Sequence, residues 1–469
     1  MAWGMLLVTI LLMAGCGGQE VIVPVPPTTT PDWPLPTTAP TTTPKAWPSP
    51  LAFPLAAPAH IAIERAEDRS CIACHSNEEE LKEALAAQAE AHGSLVQEEE
   101  GTGEPPGPSA WERVYLDNDA FLETLHGRYG CIACHGGRGD TNSKEAAHQD
   151  LMATPSTSGV CESCHEEEVT ADQNSLHASL AGYRTALLAR SDAEHTGQLE
   201  EMMETHCAPC HTTTCGQCHI SRLARVGGGL VAGHLFNDTQ AIDQTCAGCH
   251  GSRVEGEYKG ESELVPGDIH WVQGSMLCSD CHTAAEFHGT TVSLQHRYDG
   301  QPQPSCTARD CHPDVREGDG VEQHGDSHLK NLSCQVCHST SYTNCYGCHV
   351  SLEDGTATYE IEPPQMAFKI GRNPLQGRYR PWKYVPVRHV PITPDSFDYY
   401  GQDLLPNFDS LPTWKYATPH NIQRTTPQTE TCNACHGNAD LFLTTNDVAP
   451  EELAANRRVI VDLVPEAIE

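Results

Sequence analysis

Positive charge is scarce in this chain: 28 Lys and Arg stand against 63 Asp and Glu, a formal charge of −35. Nucleic-acid binding depends on cationic contacts with phosphate, so an acidic surface of this kind excludes it. The same surface favours solubility and attraction of cationic partners. Apolar side chains are also few, 38% of 469 residues, which is low for a chain of this length. An interior must then draw apolar surface from another source. Methionine is thin as well: past the N-terminal stretch only Met152, Met202, Met203, Met276 and Met366 occur, and four of the five read as packing residues. The apolar stretch that opens the chain is too short for a transmembrane helix. It ends in small residues and reads as a secretory signal over 1–15. Met13-Ala14-Gly15-Cys16 is similar to a bacterial lipobox, in which Cys16 would be lipidated, although the usual Lys or Arg before the apolar run is absent.

Cysteine is plentiful and strictly ordered. Of 23 cysteines, twenty form ten C-x-x-C-H pairs: Cys71/Cys74, Cys131/Cys134, Cys161/Cys164, Cys207/Cys210, Cys215/Cys218, Cys246/Cys249, Cys278/Cys281, Cys334/Cys337, Cys345/Cys348 and Cys432/Cys435. An eleventh pair, Cys306/Cys311, is wider but is again followed by a histidine. Only Cys16 remains. In chain order these are motifs 1 to 11, with Cys306/Cys311 as motif 8. Each is the attachment signature of haem c: two thiols add to the porphyrin vinyl groups, and the adjacent histidine becomes an axial iron ligand. These proximal histidines are His75, His135, His165, His211, His219, His250, His282, His312, His338, His349 and His436. A zinc ribbon needs four ligands from two knuckles and gives no reason for a histidine after every second cysteine. A disulfide framework shows no such rule and belongs to small domains.

Histidine supply is an independent check. Of 26 histidines eleven lie in the motifs, leaving enough for a second histidine on every iron. The candidate distal ligands are His92, His126, His177, His195, His206, His234, His270, His288, His324, His328, His389 and His420. His126, His206, His270 and His328 rank highest, each just upstream of a motif, whereas His60 and His148 are weaker. The 411 residues from Ala59 to Glu469 give about 37 per haem, too little protein to insulate eleven porphyrins from one another. Four residues separate His211 from Cys215, which holds their Cα atoms within about 14 Å.

The expected fold is mainly short α-helices and irregular loops wrapped around a closely packed haem chain, with little β-sheet. After the signal come the Cys16 anchor and a Pro/Thr-rich tether over 16–58, whose composition favours polyproline II. Its 38 residues from Val21 to Pro58 span up to roughly 120 Å at about 3.1 Å each. Then follow an N-terminal haem region over 59–205, a dense haem region over 206–349, a haem-free aromatic and basic segment over 350–431, and the last site with a tail over 432–469. The haem-free segment reads as a wrapper, its cations neutralising propionates and His389 and His420 closing distal sites. Two helices are expected. One spans Asn77 to His92 with Ser76 as its cap. The other runs from about Arg184 to Glu204, placing His195 and, if continued, His206 about 16 Å apart on one face.

On these motifs the chain resembles the multihaem cytochromes c of respiratory bacteria, over most residues after Ala59. The resemblance implies eleven covalently attached haem c groups. It also implies electron transfer between a membrane donor and an extracytoplasmic acceptor, as in anaerobic respiration or extracellular electron transfer. The partners it implies are redox proteins, a quinol oxidoreductase or other cytochromes, and an extracellular acceptor. The protein would be exported and lipid-anchored on the outer face of a bacterial membrane. The alternative is an oxidoreductase acting on a small nitrogen or sulfur compound at one haem with an open axial site. No C-x-x-C-K occurs, a departure from the lysine-ligated nitrite reductase pattern. Histidine abundance favours an electron-transfer protein over a catalyst, with no catalytic residue assigned.

Overall fold

The computed structural model describes residues 68–469 apart from 93–108, 110, 117–119, 212–213, 222–229, 231–233, 237–238, 261–265, 290–291, 300–303, 345–350, 354–355 and 359–364. The expected signal, Cys16, the tether, His60, Cys345, Cys348 and His349 lie outside the described residues, as do the side chains of His92 and Cys210. The described chain is mostly helices and loops with a little antiparallel sheet. Among the described residues no helix is long and apolar enough to cross a membrane.

Most motifs fold as a single helical turn. Examples are Cys131–His135, Cys215–His219, Cys334–His338 and Cys432–Cys435. One turn brings positions i, i+3 and i+4 to one face, so two sulfurs and an imidazole share a side. Local capping sets where the turn begins. Thr431 Oγ1 accepts from the Ala434 amide at 3.1 Å, and Gln217 Oε1 accepts from the Thr214 amide at 2.9 Å. The wider motif 8 closes as a turn in which the His312 amide donates to Cys306 O at 3.0 Å. Motifs 1 and 2 are tied by buried Asp68, whose Oδ1 accepts from the Ile132 amide at 3.0 Å. Gly130 permits this approach: its φ is +83°, and a Cβ there would lie 2.0 Å from Asp68 Oδ2.

Both expected helices need correction. The first is Glu78–His92, and its cap is Asn77, whose Oδ1 accepts from the amides of Glu79 and Glu80 at 3.1 and 3.3 Å. Ser76 instead donates to Ile72 O of the preceding motif helix at 2.6 Å. The second divides into Ala181–Leu188, Thr196–Met202 and a π-helical turn Met203–Cys207. One tertiary contact and one local cap break it. Arg190 is fully buried and donates to Phe408 O and Leu411 O at 3.0 and 3.2 Å. Asp192 Oδ1 accepts from the amides of Glu194 and His195, both at 3.0 Å. His195 therefore stands at the start of a helix rather than within one.

Among the described residues the clusters of buried apolar side chains lie in the C-terminal half and on these helices. Leu187, Leu199, Met202 and Met203 pack with Ile392, Phe397, Leu404 and Leu405, across the expected boundaries at 205 and 350. Each such side chain contributes about 1.5–3 kcal/mol when fully buried. A three-stranded antiparallel sheet of Ile370–Arg372, Tyr384–His389 and Trp414–Tyr416 has the middle segment in its centre. Val385 and Val387 of the central strand pack with Trp414, Tyr416, Leu443 and Val459. Arg388, also buried, pairs with Glu257 at 2.5 Å, with side chains 8% and 1% exposed. The haem-free segment thus supplies all three strands of this sheet. Three of its cations are spent on carboxylates of the chain itself: Arg388 on Glu257, Lys369 on Asp447 and Arg372 on Asp462.

Candidate functional site: paired histidines

The motif histidines meet other histidines in pairs. The ring-centre distances are 6.1 Å for His75 and His148, 6.2 Å for His135 and His234, and 6.1 Å for His165 and His126. They are 6.0 Å for His219 and His288, 6.3 Å for His250 and His177, and 6.3 Å for His282 and His420. The remaining three are 6.0 Å for His312 and His270, 6.3 Å for His338 and His324, and 6.2 Å for His436 and His328. In all nine, one partner belongs to a motif and the other does not. The angle between the rings varies from 16° to 83°, so ring stacking does not set the spacing. A metal–imidazole bond of about 2.0 Å on each side puts two trans rings about 6 Å apart, centre to centre. The donor set therefore fits a metal held between two imidazoles.

Hydrogen bonding prepares the same nitrogen in case after case. Nδ1 is engaged by a backbone carbonyl in His75, His135, His148, His328, His338 and His436, at 2.7 to 3.1 Å. In His270, His282 and His324 it is engaged by a carboxylate, at 2.7, 3.0 and 2.6 Å. A ring that donates from Nδ1 keeps Nε2 unprotonated, with a lone pair for a metal. Burial reinforces this. It pushes His126, His177 and His219 down, and it takes His234, His250 and His420 to about 4. These imidazoles are neutral at neutral pH.

The cysteines follow no rival pattern. All that are described are free thiols. Among the described residues no group of three or more His, Cys, Asp or Glu converges as a metal site, whereas a zinc knuckle needs four ligands. Burial pushes the Cys131 thiol up to about 12 and those of Cys218 and Cys337 to about 11. Cys161 is lowered by a hydrogen bond from Cys215, and Cys334 by one from Cys306.

Proximity between cysteines orders the motifs. Cys131 lies within electrostatic range of Cys71, Cys134 of Cys164, Cys218 of Cys249, Cys281 of Cys311 and Cys337 of Cys435. The Cys161–Cys215 and Cys306–Cys334 hydrogen bonds join motif 3 to 5 and motif 8 to 9. Helix Thr239–His250, which carries motif 6, packs on the motif 5 and motif 7 helices. The neighbours therefore run 1–2–3–5–6–7–8–9–11, the same nine motifs whose histidines are paired.

The remaining sequence candidates sit differently. His211 of motif 4 lies nearly parallel to Tyr183, with ring centres 5.1 Å apart. Three of the four top-ranked upstream histidines are paired, but His206 meets the Tyr400 ring edge-on at 4.9 Å. His195 holds Asp192 by Nδ1 at 2.8 Å. His389 spends Nε2 on both carboxylate oxygens of Glu452, each at 3.0 Å, and stacks on Trp414. Its Nε2 is therefore taken by a carboxylate, and no motif histidine pairs with it among the described ring contacts. His148, ranked low, is the partner of His75. It sits one residue past the short helix Lys144–Ala147, which Ser143 caps, and no motif spacing marks it. No family model, curated protein or solved structure matches this chain.

Proposed function

We propose that this protein is a multihaem cytochrome c that carries electrons along a row of closely spaced, mostly bis-histidine haems between a membrane donor and an extracytoplasmic acceptor. The observation that carries the reading is the nine motif-to-non-motif histidine pairs, each spaced for one metal between two imidazoles. The cysteines of each motif would hold a porphyrin by thioether bonds, its histidine would be proximal, and the partner histidine would be distal. Bound haem supplies one-electron chemistry at iron. The chain's part is to fix ligand tautomers through Nδ1, to exclude water from buried imidazoles, and to bring successive motifs together. Filling both axial positions at these nine sites would leave no place for substrate there, which favours a conduit over a catalyst. Export, lipid anchoring at Cys16 and a spacer over 16–58 belong to this proposal on the sequence grounds given above.

Expression in a host that attaches haem c, followed by intact mass and electron paramagnetic resonance (EPR), tests it. The mature chain is expected to carry eleven haems with spectra dominated by low-spin, six-coordinate iron. A colourless product at polypeptide mass refutes the reading. A dominant high-spin signal with turnover of a small nitrogen or sulfur compound would replace the conduit with an oxidoreductase.

A further inference from the structure

Nine of the eighteen paired histidines engage Nδ1 in a hydrogen bond to a carbonyl or a carboxylate, and these two kinds of partner fall at different places along the motif order. At its two ends, both ligands use backbone carbonyls. For motif 1, His75 bonds Val114 O at 2.8 Å and His148 bonds Lys144 O at 2.7 Å. For motif 11, His328 bonds Gln323 O at 3.0 Å and His436 bonds Glu466 O at 3.1 Å. In three consecutive motifs one ligand instead bonds a carboxylate. His282 of motif 7 has Glu286 at 3.0 Å, His270 opposite motif 8 has Asp268 at 2.7 Å, and His324 opposite motif 9 has Asp319 at 2.6 Å. Asp268 is buried, its side chain 3% exposed, so water screens its charge poorly, whereas Glu286 and Asp319 lie nearer the surface.

A carboxylate that accepts the Nδ1 proton draws it away from the ring and raises the basicity of Nε2. A more basic axial nitrogen stabilises ferric over ferrous iron, and a nearby negative charge acts in the same direction. A backbone carbonyl does this more weakly because it carries no net charge. We propose that Glu286, Asp268 and Asp319 are potential-setting residues that make motifs 7, 8 and 9 a contiguous low-potential stretch between ends of higher potential. This rests on the haem reading above. On partial reduction the haems of motifs 1 and 11 fill before those three, so the stretch acts as an internal step that electrons cross rather than occupy.

The test uses Asp319→Asn and Glu286→Gln in the full haem-loaded chain. Both amides keep an oxygen able to accept from Nδ1 while removing the charge, so ligand geometry is retained. Asp462→Asn is the control: its side chain is 78% exposed and pairs with Arg372 rather than with a histidine. Potentiometric titration is followed by absorption and EPR. Each test variant is expected to keep eleven haems and all its low-spin signals. One haem's share of the titration should move to higher potential, with altered g-values for that haem. The control should superimpose on the parent. Unmoved titrations in both test variants, or an equal shift in the control, would overturn the assignment. A product without haem would instead defeat the underlying reading.

Discussion

Removing His420 is the sharpest single perturbation. Its ring centre is 6.3 Å from that of His282, and burial takes its pKa to about 4. It is also locked in place: Glu257 Oε2 accepts from its backbone amide at 3.1 Å, and Glu257 is itself held by Arg388. His420→Ala should therefore leave the motif 7 turn intact while deleting the imidazole facing it. On the haem reading proposed above, one iron in eleven would lose its sixth ligand, so about one part in eleven of the ferric haem should turn high-spin. Loss of a basic nitrogen should also raise that haem's potential. Added imidazole should enter the vacated volume and restore the low-spin signal. EPR at low temperature counts the conversion directly. His389→Ala is the paired measurement. That ring has given Nε2 to Glu452, so its removal should leave the low-spin count unchanged. It should destabilise the fold by about 1–3 kcal/mol by stranding a buried carboxylate. A high-spin haem from His389→Ala, or none from His420→Ala, would refute the reasoning that paired rings are ligands.

Three further outcomes follow from packing and charge. Arg388→Ala strands buried Glu257 and should cost about 3–5 kcal/mol in guanidinium unfolding, whereas breaking the exposed Arg316–Asp314 pair should leave the midpoint unmoved. Gly371→Ala would place a Cβ 2.7 Å from Val387 Cγ1 and 3.0 Å from Val459 Cγ1, an overpacking that should lower stability by about 1–3 kcal/mol. Acid should loosen the protein through its buried imidazoles. His234, His250 and His420 are held near 4 against about 6.5 when unfolded. Between those values the unfolded chain binds more protons, so stability is full above pH 6.5 and falls as pH drops toward 4. Competition between protons and iron for Nε2 has the same sign. Unfolding midpoints at pH 7, 5.5 and 4.5 should decline in that order.

The motif turns were legible because their form is local: two thiols and an imidazole on one helical turn need only five residues and a cap. The abundance of histidine was legible too, and it raised the expectation of two imidazoles per iron. Which histidine meets which motif was not. His282 finds His420, and His135 finds His234, across long separations that no spacing rule spans. His148 and His389 show the difficulty from both sides. His148 had nothing in sequence to distinguish it, yet a short capped helix delivers it to His75. His389 had the expected neighbourhood, yet a buried Glu452 takes the nitrogen that would have counted. The helix expected over 184–204 failed for a related reason: Arg190 and Asp192 make contacts that outweigh helix propensity.

By itself, then, the amino-acid order determined the number and local form of the candidate sites, the acidic surface, and the shortage of apolar side chains. Tertiary structure alone decided the pairing of rings and the order of neighbouring motifs. The physical reason is range. Covalent spacing and helical turns act over a few residues, and they also set the carboxylates two to five residues from His270, His282 and His324, whereas the imidazole that faces a motif depends on which distant segments pack together.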